Sequence, residues 1–245
     1  MIVGLIPARL LSNRLPFKAL LKISEIPLVI HTLSRAKLSK RLDKVYVCTD
    51  SEKIAEVVKK YNGDFIMTKK DHKNGTERIA EAAKKMKNLK RIIDIQCDEV
   101  LLDPESIDQL INFHDKNDHF DIVVPHSTLK KKTDQNLVKI VSNDYNYVLY
   151  MSRNNIPFSK KKIKYKKHLD IISFKPSALQ KFSKLKRSSN EKIEGIELLR
   201  AIDNKLKVGT FNIKTEAFSV NTRDDFCRAS KILKKFPCQK YYFNY

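Results

Sequence analysis

The sequence predicts an α/β fold with a doubly wound, mostly parallel sheet and a small antiparallel subdomain. Strand and helix signals alternate through the first half of the chain, whereas the middle carries strands separated only by loops. The chain has 245 residues, of which 42% are hydrophobic and 31% charged. That length and composition suit one large globular domain that carries an insertion.

In the first half of the chain, predicted strands alternate regularly with predicted helices. Leu28, Ile30, Leu33 and Ala36 recur at helical spacing, and Asp103 is positioned to cap a later helix. We predict strands over 2–6, 44–49, 65–67, 91–96 and 121–125, and helices over 27–37, 51–61, 76–86 and 104–113. In such a sheet, ligands bind beyond the carboxyl ends of the strands. Functional residues should therefore follow Ile6, Thr49, Ile95 and Val220.

After residue 125 the regular alternation of strands and helices ends. Strands are predicted over 137–141, 147–151, 168–174 and 207–213, with helices over 191–203 and 222–235. The short strands without intervening helices indicate an antiparallel patch inserted in the main sheet. We therefore divide the domain into parts at 1–125, 126–215 and 216–245.

The net charge of +21 raises the question of a nucleic-acid partner. Only 11 of the 49 basic residues are Arg, and the lysines are spread over many segments as on solvated helix faces. Nucleic-acid binding as the main function is therefore not favoured. The chain contains no apolar run that would span a membrane, no signal-peptide pattern and no CxxC pair among its four cysteines, so we expect a cytoplasmic protein with reduced thiols.

A basic loop follows the first predicted strand. Pro7-Ala8-Arg9 is followed by Ser12, Arg14 and Lys18, so three cations lie within ten residues. Arg binds phosphate oxygens bidentately and Lys supplies a movable point charge, which suits a polyphosphate. An exposed basic loop without function is an equally good interpretation of this segment alone, and the glycines of a P-loop are missing.

Two further segments carry candidate chemistry. Asp98 follows an apolar strand and is the best single ligand for Mg²⁺, which prefers carboxylate and phosphate oxygens, although a plain turn residue is the alternative. Gln96 beside it carries an amide, a group that can both donate and accept hydrogen bonds. Asn74-Gly75 is predicted to form a small turn before a helix. An ordinary cap at Thr76 is the alternative there.

Seven segments, in order, resemble the CMP-Kdo synthetase family of sugar-activating cytidylyltransferases. They are IPARLLSNRLPFKAL, DHKNGTERIAEA, IQCDEVLL, LVKIV with YVLYMSRNNIPF, KHLDIISF, IEGIELLRAI and VNTRDDF, and together they cover nearly the whole chain. The resemblance implies a nucleotidyltransferase-like fold and a Mg²⁺-dependent reaction in which CMP passes from CTP to an acidic 3-deoxy sugar. It also implies a homodimer joined near residues 126–175.

The resemblance also assigns roles by position. Arg9, Lys18 and Asp98 become catalytic, and Asp98 and Asn221 become metal ligands. The residues implied for nucleotide binding are Pro7, Ala8, Arg9, Ser12, Arg14, Lys18, Asn74, Gly75, Thr76 and Arg78, with Glu77 near them. Those implied for sugar binding are Gln96, Arg153, His168 and Glu197. The part over 1–125 is thus expected to bind nucleotide, and that over 126–215 to bind sugar and dimerise.

Several positions depart from the family pattern. Asn221 replaces an Asp, Cys97 and Asp170 replace Gly, Ile172 a Tyr, Leu198 a Gln and Phe17 a Gly. Losing a Tyr hydroxyl and a Gln amide removes polar contacts to a sugar, so the expected acceptor is Kdo or a close relative such as an amino-Kdo or another ulosonic acid. The alternatives are a catalytically weakened paralogue with a regulatory or scaffold role, which Asn221 favours, and a basic nucleic-acid-binding protein.

Overall fold

A computed structural model describes residues 1–10, 15–129, 135–215, 217–236 and 241–242. Its contacts divide the chain into two units, Met1–Asp108 with Glu216–Tyr245, and Gln109–Thr215. The functional division predicted at residues 125 and 215 stays a prediction.

The first unit is built on a parallel sheet. In chain order its elements are β1 (Ile2–Ala8), a 3-10 turn (Lys18–Leu20), the short hairpin β2 (Lys22–Ile23) and β3 (Ile26–Pro27), α1 (Leu28–Lys37), β4 (Lys44–Thr49), α2 (Glu52–Lys60), β5 (Asp64–Met67), α3 (Gly75–Lys84) and β6 (Arg91–Ile95), after which comes α4 (Pro104–Lys116). The strands run in the order β5-β4-β1-β6 and all pair in parallel. Every residue of β1 is buried, because β1 is a central strand.

The second unit is largely antiparallel. Its elements are β7 (Ile122–Leu129), β8 (Lys139–Ser142), β9 (Val148–Ser152), β10 (Tyr165–His168), β11 (Ile171–Phe174), α5 (Pro176–Lys184), α6 (Ser189–Glu194), α7 (Leu198–Asp203) and β12 (Val208–Asn212). β7 pairs antiparallel with β10 and β11, and the ladder continues from β10 to β8 and β9. β12 runs parallel to β7. The closing helix α8 (Arg223–Leu233) belongs to the first unit.

Two predictions about elements were wrong, and the helix α5 was missed. The strand predicted over 168–174 is broken: His168 ends β10 and 171–174 form β11, and the register against β7 shifts between them, from His168 opposite His126 to Ser173 opposite Val123. The helix predicted over 191–203 is two helices, since Gly195 adopts φ 66° and ends α6. α5 was not predicted, although Pro176 at its first turn and the buried Ala178 and Phe182 are typical of a helix.

The predicted fold class is confirmed: an α/β protein with a mostly parallel, helix-flanked sheet and a small antiparallel part. The helix α1 shows why the pattern was informative, since all four of its regularly spaced apolar residues are buried. Among the described residues, no helix is both long enough and apolar enough to cross a membrane.

Candidate functional site

The carboxyl ends of three parallel strands meet at one edge of the first unit. β1 ends at Ala8, which is in register with Thr49, the last residue of β4. β6 pairs with the other side of β1 and ends at Ile95. The exposed Arg9 follows β1 directly, so the basic loop begins at the edge where α/β sheets bind ligands.

Lys18, Asp98 and Asn221 come together here from three distant parts of the chain. The Lys18 ammonium lies 2.5 Å from Asp98 Oδ2 and 3.5 Å from Asn221 Oδ1. The Lys18 and Asp98 side chains are 18% and 14% exposed, so this ion pair is largely shielded from water. Two oxygens that the sequence assigned to a metal thus converge on one positive charge.

The loop that carries Asp98 is tied down on two sides. From α1, the Thr32 hydroxyl donates to the Cys97 carbonyl at 2.9 Å, and Arg35 Nε donates to the Leu102 carbonyl at 2.6 Å. From the segment before α8, Val220 N–H donates to the Asp98 carbonyl at 3.0 Å. The carboxylate is therefore held at a fixed place relative to the sheet edge.

Asn221 is positioned by the start of α8. Thr222 and Asp225 form a reciprocal capping box, and Asp225 Oδ2 also accepts from Asn221 N–H at 3.0 Å. The cap fixes the backbone at Asn221, whose amide oxygen then faces Lys18. Asp or Asn at this position would be held in the same way, since the cap uses only the backbone of residue 221.

Phe17 stands where the resembled family has Gly, and its own backbone adopts a conformation that favours Gly. It precedes the 3-10 turn with φ 54° and ψ 24°, in the left-handed region that favours Gly. A bulky residue held there costs on the order of 1 kcal/mol. The strained backbone places Lys18 at the first position of the turn, closed by Leu21 N–H donating to the Lys18 carbonyl.

Gly75, at the start of α3, is where the other predicted nucleotide-binding segments meet. A Cβ on Gly75 would lie 3.0 Å from Pro7 Cγ and 3.8 Å from Gln96 Oε1. Asn74 is the N-cap, and its side chain accepts from Glu77 N–H at 2.8 Å. The cap at Thr76 weighed from the sequence is therefore wrong by two residues. A helix N-terminus favours phosphate, so its place beside β1 suits a nucleotide.

Several residues predicted to bind the nucleotide are buried and contact other protein groups. Pro7 and Ala8 are buried within β1, and Thr76 is 7% exposed. The Arg78 side chain is 5% exposed, lies 3.2 Å from Asp50 Oδ1 and donates to the Thr68 hydroxyl at 2.6 Å. Arg78 thus links the segments after β4 and β5, and a nucleotide contact for it stays a prediction.

A hydrogen bond between His72 and Glu81 in the same region was not found from the sequence. His72 Nε2 lies 2.5 Å from Glu81 Oε2, and the same oxygen accepts from Lys69 N–H at 3.0 Å. Burial works to raise the pKa of Glu81, but the hydrogen bonds from Lys69, His72 and Lys85 outweigh it and lower that pKa to about 2. The ionised Glu81 therefore anchors the loop before α3.

Cys97, between Gln96 and Asp98, is a protonated thiol. Burial first, and the neighbouring Asp98 charge second, raise its pKa to about 12. Burial also raises the pKa of Cys48. Both are free thiols, as is the exposed Cys227.

The second unit holds Arg153 in a network of its own. Arg153 Nε donates to the Glu194 carbonyl at 3.0 Å, and the Glu194 carboxylate accepts from Arg153 N–H and from the Ser152 hydroxyl at 2.6 Å. The fully buried Lys139 donates to the carbonyls of Leu137 and Arg153. Sequence reasoning missed Glu194 and Lys139: a Lys does not signal burial by its type, and nothing in the sequence pairs Glu194 with Arg153.

His168 and Glu197 lie in different elements of the second unit. His168 ends β10, opposite His126 of β7, and its Nδ1 is 3.2 Å from Asp170 Oδ1. Asp170, a departure from the family pattern, thus has a partner. Burial first, and Lys166 second, lower the pKa of His126 to about 4. Glu197 precedes α7 and is 38% exposed.

Ser12 and Arg14 lie outside the described residues, so their predicted roles stay predictions. Among the residues that the structure describes, no group of three or more His, Cys, Asp or Glu side chains could hold a metal. Mg²⁺ does not need one, because it is usually held by one or two carboxylates together with substrate phosphates and water. One carboxylate and one amide oxygen around a common cation position fit that pattern.

Known proteins are similar to this chain over nearly its whole length. The family model described as cytidylyltransferase matches residues 3–208. A 3-deoxy-manno-octulosonate cytidylyltransferase of Thermodesulfovibrio yellowstonii is 36% identical, with 96% of this chain and 98% of the relative covered. An 8-amino-3,8-dideoxy-manno-octulosonate cytidylyltransferase of a Shewanella species is 33% identical, with 95% and 98% covered.

A solved structure is also very similar. It is that of a CMP:2-keto-3-deoxy-manno-octonic acid synthetase complexed with CTP, and its TM-score to this chain is 0.91. The two chains are 28% identical, over 96% of this chain and 98% of the other. The match extends across both units and is not limited to the parallel sheet.

Proposed function

The chain belongs to the cytidylyltransferase family and is a nucleotidyltransferase, and we propose that it transfers CMP from CTP to an acidic 3-deoxy sugar, Kdo or its 8-amino relative. The relatives that act by name on these two sugars support both acceptors. The convergence of Lys18, Asp98 and Asn221 at the sheet edge carries the proposal.

The reaction is a displacement at phosphorus. A sugar hydroxyl oxygen forms a bond to the α-phosphorus of CTP, the bond from that phosphorus to the β-phosphate bridging oxygen breaks, pyrophosphate leaves and the hydroxyl proton is released. Catalysis of such a step rests on positioning and on neutralising charge. Arg9 and Lys18 neutralise the triphosphate and the departing pyrophosphate, with Ser12 and Arg14 as further expected contacts.

Asp98 and Asn221 would hold Mg²⁺, which supplies positive charge at the α-phosphate when it is bound. Asn221 brings an oxygen without a charge, so Asp98 provides the only negative charge of this pair. The segment from Asn74 to Arg78 positions the cytidine. Gln96 lies beside Gly75 and hydrogen-bonds the substrate, while its own amide is steadied by Asp94 at 3.0 Å.

The sugar half of the proposal rests on Arg153, His168 and Glu197 in the second unit. An Arg guanidinium is suited to the carboxylate of an acidic sugar, and its position is set here by Glu194. Ile172 and Leu198 replace polar family residues, so discrimination between related acidic sugars is relaxed. This is why two acceptors are proposed.

The test is pyrophosphate release with CTP, Mg²⁺ and a panel containing Kdo, 8-amino-8-deoxy-Kdo and a neutral hexose. Release is expected with the acidic 3-deoxy sugars only, and CTP should support it better than ATP or GTP. Asp98→Asn is the control for site-dependent release. Absence of release with every acidic sugar, from protein that is folded and binds CTP, would exclude the transferase reaction in favour of a weakened, regulatory paralogue.

We also propose a cytoplasmic homodimer joined through residues 126–175. Three large side chains of that segment are exposed, namely Tyr145 at 79%, Leu149 at 53% and Phe158 at 85%. Exposed apolar groups concentrated in one segment mark association surfaces. Light scattering should give twice the chain mass of 28.5 kDa, and Leu149→Lys with Phe158→Lys should give monomer. A monomeric wild-type protein at micromolar concentration would contradict the proposal.

A further inference from the structure

Lys18 lies where a metal ion bound by Asp98 and Asn221 would be expected. Its ammonium is within 2.5 Å of one oxygen and 3.5 Å of the other, and metal and ammonium compete for the same lone pairs. Lys has a flexible stem and a compact charge, so it can leave this position without disturbing the backbone.

The charges make this competition effective. Asp98 carries one negative charge, Asn221 none and Lys18 one positive charge, so the three side chains sum to zero. A divalent cation approaching the nucleotide-free protein meets no net attraction from them. The ion pair is more than four-fifths shielded from solvent on both sides, so salt and water weaken it little.

We propose that Lys18 occupies the metal position in the nucleotide-free protein, and that Mg²⁺ binds strongly only after the triphosphate has drawn Lys18 away. This rests on the proposed function, because it takes CTP and Mg²⁺ as ligands of the site. The triphosphate oxygens give the ammonium an alternative partner, which leaves Asp98 and Asn221 to the metal. Nucleotide and metal affinities are then coupled, each raising the other by the same factor.

The test measures metal binding without nucleotide, where no catalytic turnover contributes. Mn²⁺ is the probe, and its free concentration is read by electron paramagnetic resonance. Lys18→Met and Lys18→Gln should each bind Mn²⁺ at least about tenfold more tightly than the wild-type protein, because a competing ammonium has been removed. Lys22→Met is the matched control: it deletes the same charge from a side chain that is 58% exposed, and should leave Mn²⁺ affinity unchanged.

Two results separate this inference from the function on which it rests. In the first, the wild-type protein binds CTP together with Mn²⁺, but without nucleotide both Lys18 variants bind Mn²⁺ no more tightly than the wild-type protein does. The inference is then wrong and the proposed function stands. If the wild-type protein binds neither CTP nor Mn²⁺, both are wrong. An equal gain in Lys22→Met would show a general charge effect and would also overturn the inference.

Discussion

Replacing Asn221 by Asp tests the metal site most directly. The new carboxylate would lie about where Asn221 Oδ1 is now, 3.5 Å from the Lys18 ammonium. At an effective dielectric of about 20, two unit charges at that distance attract by about 5 kcal/mol. Desolvation of the new carboxylate and repulsion from Asp98 offset most of that, which leaves a net gain of about 1 kcal/mol.

In the absence of metal, that gain appears as stability. About 1 kcal/mol corresponds to a rise in Tm of about 2–4 °C for a chain of this size. The start of α8 adds to it, since a carboxylate is favoured near a helix N-terminus. Differential scanning calorimetry in EDTA measures the shift. A lower Tm for Asn221→Asp would show that repulsion from Asp98 dominates and that the geometry has been misjudged.

The same substitution should favour metal over Lys18. An added negative charge attracts a divalent ion twice as strongly as it attracts an ammonium at equal distance, so the competition shifts toward Mg²⁺. We expect the Mg²⁺ concentration for half-maximal pyrophosphate release to fall on the order of tenfold. Asn221→Ala is the control and should raise that concentration. An unchanged Mg²⁺ dependence, or loss of activity, in Asn221→Asp would mean that residue 221 is not a metal ligand.

Three other outcomes follow from the site and its surroundings. Asp98→Asn should lower turnover by on the order of 10²-fold or more with the fold retained; near-normal turnover would remove Asp98 from the metal. Because the pKa of Glu81 is lowered to about 2, its ionisation stabilises the fold above about pH 4.5, and this contribution is lost as pH falls toward 2. Glu81→Gln should thus lower the urea midpoint at pH 7 but much less near pH 2, and equal losses at both would refute the ionic role. Duplex DNA should bind weakly and lose affinity steeply with salt; selective binding at physiological salt would revive a nucleic-acid function.

The parallel half of the fold was predictable because its signals are local. The strand predicted over residues 44–49 is β4 as observed, and α1 begins one residue after its predicted start. In the antiparallel half the partners are distant in sequence, so the break between β10 and β11 depends on where β7 presents its carbonyls. Periodicity carries no information of that kind.

The candidate site, like the fold, could be predicted from the sequence only in part. Lys18 and Asp98 could be chosen from residue type, from their place after β1 and β6 and from family resemblance, whereas Asn221 could be chosen from the resemblance alone. The expectation that Val220 ends a strand was wrong, and Asn221 reaches the site from the segment before α8. The pairing of Lys18 with Asp98 could not be predicted, because the sequence assigned one to phosphate and the other to metal. Arg78 shows the reverse: its residue type suggested a phosphate contact, whereas burial beside Asp50 gives it a structural partner.

The pairing of Lys18 with Asp98 and the presence of Asn at position 221 together explain how the site would bind metal. With Asn in place of Asp at position 221, Lys18 can neutralise the site fully, and no carboxylate of this set is left in excess. The metal must therefore depend on charge that the substrates bring, which is the triphosphate of CTP. A site of this kind is stable when empty, through the Lys18 ion pair, and becomes attractive to Mg²⁺ only in the presence of nucleotide. On the proposal made above, Asn221 restricts metal binding to the nucleotide complex and is no sign of lost activity.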